Sequence, residues 1–419
     1  MIFNKKQKLT IGIIFGLSLI SFFFIKKNDE PSPLKSSSVR STVGHVIEHK
    51  QFPEELEFLW DGQWKALEVH YTVLPDLQKQ LKDLLKKHRP DYGSIVGVNA
   101  KTGEILFLVD HYQDPLDDIG HLGIKSVFPA ASVFKLVTAT AAIDQGLVSP
   151  ETIIPFNGRS HTLYRQNINH TRSNRWTRYI KLKDAFARSI NTIFGKLGAF
   201  YLGGQTLLHY AKRFGFNEDL GGDLPWQAGQ TEIHPGNRWN AVEVASGFNR
   251  KSKMSPLQGA LMAASVIHEG QLMKPRIIES LIDQENQIVY ESSIEVASHT
   301  MKPQTAESIQ TLMEQTIKRG TSRSAFRSLI RKKSWQEIQI GGKTGSLTSQ
   351  SPHGKCDWFV GYLKSPEIQI GIAVLTVHKK YWTVKSSYLA RKAMEIIQKK
   401  MEQHPTLSQR NLPLKDKSS

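Results

Sequence analysis

Three short clusters in this 419-residue chain hold residue types whose spacing suits nucleophilic chemistry. In the first, Ser132-Val133-Phe134-Lys135, the serine and lysine stand three positions apart. On a helix such positions share a face, so Ser132 Oγ and Lys135 Nζ can meet. Ser132 would sit in the first turn, where unpaired backbone N–H groups favour developing negative charge. A nucleophile, a candidate base and half an oxyanion site then fall within one turn. A Ser-x-x-Lys pattern alone also arises by chance, so its partners decide its meaning. The second cluster is Arg188-Ser189-Ile190-Asn191, between two short helical runs. Ser and Asn two apart in a turn can point the same way and supply a hydroxyl relay and an amide; the same residues also make ordinary helix caps. The third is Gly341-Gly342-Lys343-Thr344-Gly345-Ser346. Its glycines allow another backbone or a ligand to approach a strand closely. Lys343 offers a fixed cation, Thr344 and Ser346 offer hydroxyls, and the Ser346 N–H can complete an oxyanion hole. A second Lys-Thr-Gly, at 101–103, lacks the preceding glycines and reads as a hairpin turn.

The surrounding elements must position these groups. Phe128 to Gly146 reads as a buried, Ala-rich helix, with Pro129 near its start and Gly146 as its stop. Leu56 to Leu74 reads as strands, with Trp60 and Trp64 as candidate core aromatics, and Pro75 to His88 as an amphipathic helix with Leu77, Leu81, Leu84 and Leu85 on one face. Ser94–Val98 and Ile105–Val109 form a hairpin. Residues 183–203, with a break, and 205–214 read as helical. So do Pro256 to Glu269, Pro303 to Lys318 and Ser387 to Lys400. Asp357–Leu363 and Ile368–Val377 read as strands, the second central because it is apolar throughout. Hairpin, many helices, late strands and a last helix give an α+β arrangement rather than alternating βαβ units.

Composition narrows the class. Hydrophobic content of 39% and charged content of 22% fit a globular protein. Cys356 is the only cysteine, which excludes an internal disulfide and a multi-cysteine metal site. His268-Glu269 has Leu272 where a zinc peptidase needs a second histidine. The net charge of +17 comes from basic residues spread along the chain, without a zinc-finger, basic-zipper or RNA-binding signature, so it reads as a solvated surface rather than a nucleic-acid site. Leu9 to Ile25 carries no charge and spans about 26 Å as a helix, slightly short of a bilayer core, with lysines on both sides able to snorkel. No small-residue cleavage site follows it, so the expectation is an uncleaved anchor. The expected organisation is a cytoplasmic segment at 1–8, a transmembrane helix at 9–25, a linker at 26–50, a folded domain at 51–402 and a polar tail at 403–419.

Taken in order, Ser-x-x-Lys, Ser-x-Asn and Lys-Thr-Gly resemble the signature of penicillin-binding proteins and class A β-lactamases. Tyr71 to Gln78, Val98-Asn99 with Thr102 to Leu106, Ser255 to Gln258 with Pro275, Gly320-Thr321-Ser322 and Trp358 to Tyr362 extend the likeness over roughly residues 70–400. The chain most resembles the monofunctional, class B transpeptidase domain. Ala131 stands where that family often has glycine, and Gly247-Phe248-Asn249 and His268-Glu269-Gly270 depart from its usual turns. The resemblance implies an antiparallel sheet flanked by helices plus an all-helical subdomain.

It also implies acyl transfer without metal or cofactor. Ser132 would attack a D-alanyl-D-alanine stem peptide of peptidoglycan, and β-lactams would bind as mimics. An ordinary lysine is neutral in only ~0.04% of molecules at about pH 7, and bringing its pKa near 7 takes roughly 4 to 5 kcal/mol, from burial and a second cation such as Lys343. Ser189 would relay the proton to the leaving D-alanine, and Asn191 would hold the peptide amide and Lys135. Lys343, Thr344, Gly345 and Ser346 would grip the terminal carboxylate. A neighbouring stem peptide would then resolve the acyl-enzyme into a cross-link. A D,D-carboxypeptidase or endopeptidase differs only in acceptor. A β-lactamase would need a deacylating Glu-x-x-Leu-Asn segment not found between Asn191 and Lys343, and a non-catalytic scaffold would not need these five side chains intact. The expected setting is the extracytoplasmic (periplasmic) side of a bacterial cytoplasmic membrane. Residues 26–70 leave no room for a glycosyltransferase domain, so a separate polymerase partner is expected, and no nucleic acid.

Overall fold

The computed structural model describes residues 34–48, 52–169 and 172–403. The expected anchor at 9–25 and the tail from 404 lie outside the described residues. Among the described residues, no helix is long and apolar enough to cross a membrane.

A five-stranded antiparallel sheet carries the site. Its strands are β1 (Tyr92–Asn99), β2 (Ile105–Tyr112), β3 (Gln339–Gln350), β4 (His353–Lys364) and β5 (Gln369–His378). They lie in the order β3-β4-β5-β1-β2, so the early hairpin joins the three late strands. β5 is apolar on both faces and is central, as its composition predicts. β3 carries Lys343 to Ser346 and occupies an edge, leaving one row of backbone groups free for a ligand.

The helices that matter here are α1 (Pro75–His88), α2 (Lys135–Asp144), α3 (Asn191–Lys196), α4 (Arg238–Ser246), α5 (Pro256–Ile267), α6 (Pro303–Lys318) and α7 (Ser386–Gln403). α1 sets Leu77, Leu81 and Leu85 on one sheet face, all fully buried. Each contributes about 1.5–3 kcal/mol of transfer free energy. They join Ile95, Phe107, Phe359, Ile372, Val374 and, from α7, Leu389 and Met394. Every residue of α5 is buried. Apart from Gln258 and Ser265, which are hydrogen-bonded to main-chain carbonyls, it is apolar on every side because it lies between the other sheet face and the helical region. Asp144, at the end of α2, ties that region together. It accepts from Tyr210 Oη at 2.6 Å, Thr305 Oγ1 at 2.7 Å and Lys302 N at 2.9 Å.

The structure departs from the sequence reading in three places. Ser36–Glu48, expected within the linker, is a helix that buries Val39, Val43 and Ile47. These apolar residues stand four apart and make one stripe, which the polar residues between them obscure. Trp60 is buried, but Trp64 is 69% exposed. Trp64 pairs with Leu59 across a hairpin, and that pair faces solvent while Trp60 points inward. Pro129 does not open the helix. It belongs to a two-residue strand, Phe128–Pro129, paired with Lys253–Met254, and a 3-10 turn, Ala131–Phe134, precedes α2.

Candidate active site

Ser132 lies in that 3-10 turn, which is held from two sides. Ala130 N donates to Ser252 O at 2.8 Å. The buried indole of Trp358, on β4, donates to Pro129 O at 2.9 Å. Ala131 adopts a left-handed φ of +49°. Glycine takes that conformation without cost, whereas a side chain makes it unfavourable by about 1–2 kcal/mol. Gly247, just after α4, has a φ of +66°, and a Cβ there would come 2.0 Å from Ala131 O. Only glycine lets the end of α4 approach the serine turn this closely.

Lys135 is fully buried beneath Ser132. Its Nζ lies 2.8 Å from Ser132 Oγ, 2.8 Å from Asn191 Oδ1 and 2.5 Å from Ser246 O. The last two oxygens are acceptors only. Asn191 Nδ2 donates to His161 O at 3.0 Å, which fixes the amide with its oxygen towards Lys135. A neutral amine would give its two protons to Asn191 and Ser246, leaving its lone pair for the Ser132 hydroxyl. Burial, and then the neighbouring Lys343, push the Lys135 pKa well below the usual lysine value.

Lys343 enters from β3 and is also fully buried. Its Nζ donates to Ser189 Oγ at 3.0 Å and to Thr344 O at 2.8 Å. Burial pulls its pKa down to about 7. Ser189 occupies a left-handed turn, φ +56°, between Leu182–Ala187 and α3. That turn brings Ser189 and Asn191 into one cleft, as their spacing predicts. Strain of this kind costs of order 1–3 kcal/mol and persists where packing over-determines it. Thr344 Oγ1 is 2.5 Å from Thr321 Oγ1, on the loop after α6.

A cavity of about 570 Å³ opens over these groups. Ser132, Ser189, Asn191, Thr344, Gly345 and Ser346 line it, and the two lysines lie beneath its floor. The structure thus gathers all eight residues singled out from the sequence. Several partners were not legible there. The Ser246 carbonyl and His161 act through main-chain groups or side chains that no local pattern marks; Thr321 falls in the Gly320-Thr321-Ser322 stretch that carries part of the resemblance, but its contact with Thr344 could not be read there. His161 lines the cleft, and burial together with Lys135 and Lys343 lowers its pKa, so the imidazole is neutral near pH 7. A hydroxyl touching a buried amine whose pKa is lowered, beside a second buried lysine and an open strand edge, is suited to acyl transfer through a serine ester.

Fold and site together define a domain in which a serine meets a buried lysine beside the edge strand of an antiparallel sheet. Residues 93–401 match the family described as Penicillin binding protein transpeptidase domain, and the chain belongs to it. It is 24% identical over 342 residues to the peptidoglycan D,D-transpeptidase PbpA of Mycolicibacterium smegmatis, covering 73% of this chain and 66% of that one. It is 26% identical over 318 residues to stage V sporulation protein D of Bacillus subtilis, covering 71% and 46%. The chain therefore spans about half to two thirds of the length of these relatives. The fold is shared with penicillin-binding protein A of M. tuberculosis, solved as an imipenem acyl-enzyme, at a TM-score of 0.62 and 21% identity over 79% of this chain and 80% of that one.

Proposed function

We propose that this protein is a serine D,D-transpeptidase that cross-links peptidoglycan stem peptides and is acylated by β-lactams at Ser132. The contact between Ser132 Oγ and the buried, deprotonation-prone Lys135 carries this reading. Lys135 takes the Ser132 proton as Oγ attacks the penultimate D-alanine carbonyl. The N–H groups of Ser132 and Ser346 hold the oxyanion. The proton passes by way of Ser189 to the departing D-alanine, whose carboxylate rests against Lys343, Thr344, Gly345 and Ser346. Asn191 keeps Lys135 oriented and receives the peptide amide. The amine of a second stem peptide then attacks the ester and frees Ser132. The names of the relatives, which include peptidoglycan D,D-transpeptidases, support this assignment.

The folded domain, which includes the helix Ser36–Glu48, would work outside the cytoplasmic membrane, held by Leu9–Ile25, and a separate polymerase would supply its glycan strands. The uncharged run and its flanking lysines support the anchor. Intact-mass analysis of the full-length protein mixed with benzylpenicillin tests the central claim. A lasting adduct on wild type and none on Ser132→Ala is expected. Rapid drug hydrolysis without an adduct would point to a β-lactamase, and a folded protein that does neither would exclude acyl-transfer catalysis. Product analysis with stem peptides separates cross-linking from carboxypeptidase hydrolysis.

A further inference from the structure

The cleft continues past Ser346. Along β3 it runs through Leu347 and Thr348 to Lys355 on β4, then to Trp382, Lys385 and Ser387 around the start of α7. Lys355 pairs in register with Thr348. Lys355 Nζ lies 4.2 Å from the Trp382 ring centroid and Lys385 Nζ lies 5.5 Å from it. Both lysines are exposed. Among the described residues neither forms an ion pair, in contrast to Lys379 in the same loop, which meets Asp117 at 2.5 Å. Arg250 adds a third cation, donating from Nε to Thr348 O at 2.9 Å. Asp357 is the carboxylate at this end. It lines the cleft, its Oδ2 accepts from Ser386 N at 2.7 Å and Ser386 Oγ at 2.8 Å, and its charge acts on both Lys355 and Lys385 without a close ion pair. Three cations thus stand against this one carboxylate, which leaves an excess of positive charge at this end of the cleft.

Arg250 decides what kind of recognition is available here. A peptide pairing with the open edge of β3 can use the backbone as far as Thr348, whose carbonyl Arg250 already takes. Beyond that point only side chains remain to bind it. At a rise of about 3.3 Å per residue, Thr348 lies roughly 10 Å along the strand from Gly345, which packs against the serine turn. A chain acylated on Ser132 and running along β3 therefore reaches the two lysines two or three residues upstream of its acylated residue.

We propose that Lys355, Lys385 and Trp382 form a subsite selecting acyl donors that carry a free carboxylate two or three residues N-terminal to the acylated residue. The indole supports the aliphatic part of the donor, and the ammonium groups meet its carboxylate. This inference rests on Ser132 being the acylated residue, with the donor's terminal carboxylate at the Lys343 end.

The test compares two synthetic peptides ending in D-Ala-D-Ala, identical except that this upstream carboxylate is free in one and amidated in the other. Acylation of the full-length protein is followed as kcat/KM for D-alanine release. Wild type is expected to prefer the free acid about 5- to 10-fold, mostly through KM, and to lose much of that preference at high salt, which screens exposed charges. Lys355→Gln/Lys385→Gln is expected to use the free acid no better than the amide, with an unchanged melting midpoint. Equal use of both peptides by wild type, a preference for the amide, or discrimination that survives in the double variant would overturn the subsite. Absence of acylation by either peptide and by benzylpenicillin would instead overturn the assignment of Ser132, and the subsite with it.

Discussion

Lys135 Nζ stands 2.8 Å from Ser132 Oγ in a fully buried position, with its two other neighbours being fixed oxygens of Asn191 and Ser246. This geometry reserves the amine lone pair for the serine. Lys135→Arg should keep the positive charge and lose the function, because a guanidinium stays protonated. Acylation by benzylpenicillin should fall by about 10²–10⁴-fold, the usual worth of a positioned base. Stopped-flow or mass-based acylation rates, with thermal melting as the control for folding, check this.

Asn191→Asp tests how the Lys135 pKa is set. The change is nearly isosteric but places a carboxylate against Nζ. An opposite charge favours the ammonium form and raises the lysine pKa. Acylation at pH 7 should drop and recover partly towards pH 9, moving the acidic limb of the rate profile upward. A profile that falls uniformly at every pH would contradict this account.

Lys343 gives a stability prediction of definite sign. Its folded pKa is about 7, against an ordinary lysine value of 10.5. Between those values the unfolded chain binds more protons, so this group's contribution to stability rises with pH. Its unfavourable effect is fully present below pH 7 and has gone by about pH 10.5. Urea unfolding of wild type and Lys343→Met should therefore differ most in favour of the variant near pH 6–7, with the gap shifting towards wild type as the pH rises. Losing this cation should also raise the Lys135 pKa and slow acylation at pH 7.

The serine turn carries strain at one site and a steric requirement at another. Ala131→Gly relaxes a φ of +49°. The gain of about 1–2 kcal/mol is partly offset by the greater freedom of glycine in the unfolded chain, leaving a stabilisation of roughly 0.5 kcal/mol. Gly247→Ala should do the opposite, since its Cβ would strike Ala131 O. It should lower both the melting midpoint and the acylation rate by displacing the turn.

Trp358→Phe removes the donor to Pro129 O, a contact 229 residues apart in sequence. A buried carbonyl left without a partner costs about 1–3 kcal/mol. Urea unfolding should show that loss, together with slower acylation, because the same bond anchors the turn before Ser132.

The sequence by itself determined the local units and the chemical groups. Leu77, Leu81 and Leu85 specify an amphipathic helix through their spacing, and the unbroken apolar run of β5 marks it as central. Ser132 and Lys135 had to meet because three positions on a helical turn share a face. Ser189 and Asn191 likewise follow from one tight turn. Tertiary structure alone decided what these pairs would touch. Lys343 reaches Ser189 across 154 residues, and Lys135 reaches Asn191 across 56. Burial of both lysines is a property of the surrounding elements, and it is burial, with Lys343 acting on Lys135, that lowers their pKa values. The Ser246 carbonyl and the bond from Trp358 to Pro129 were invisible for the same reason, although Trp358 itself stood in a stretch of family likeness: a backbone oxygen has no residue type, and a long-range hydrogen bond has no period. The linker helix and Trp64 show the converse, where a stripe or a side of a hairpin acquires meaning only once a core exists for it to face or avoid.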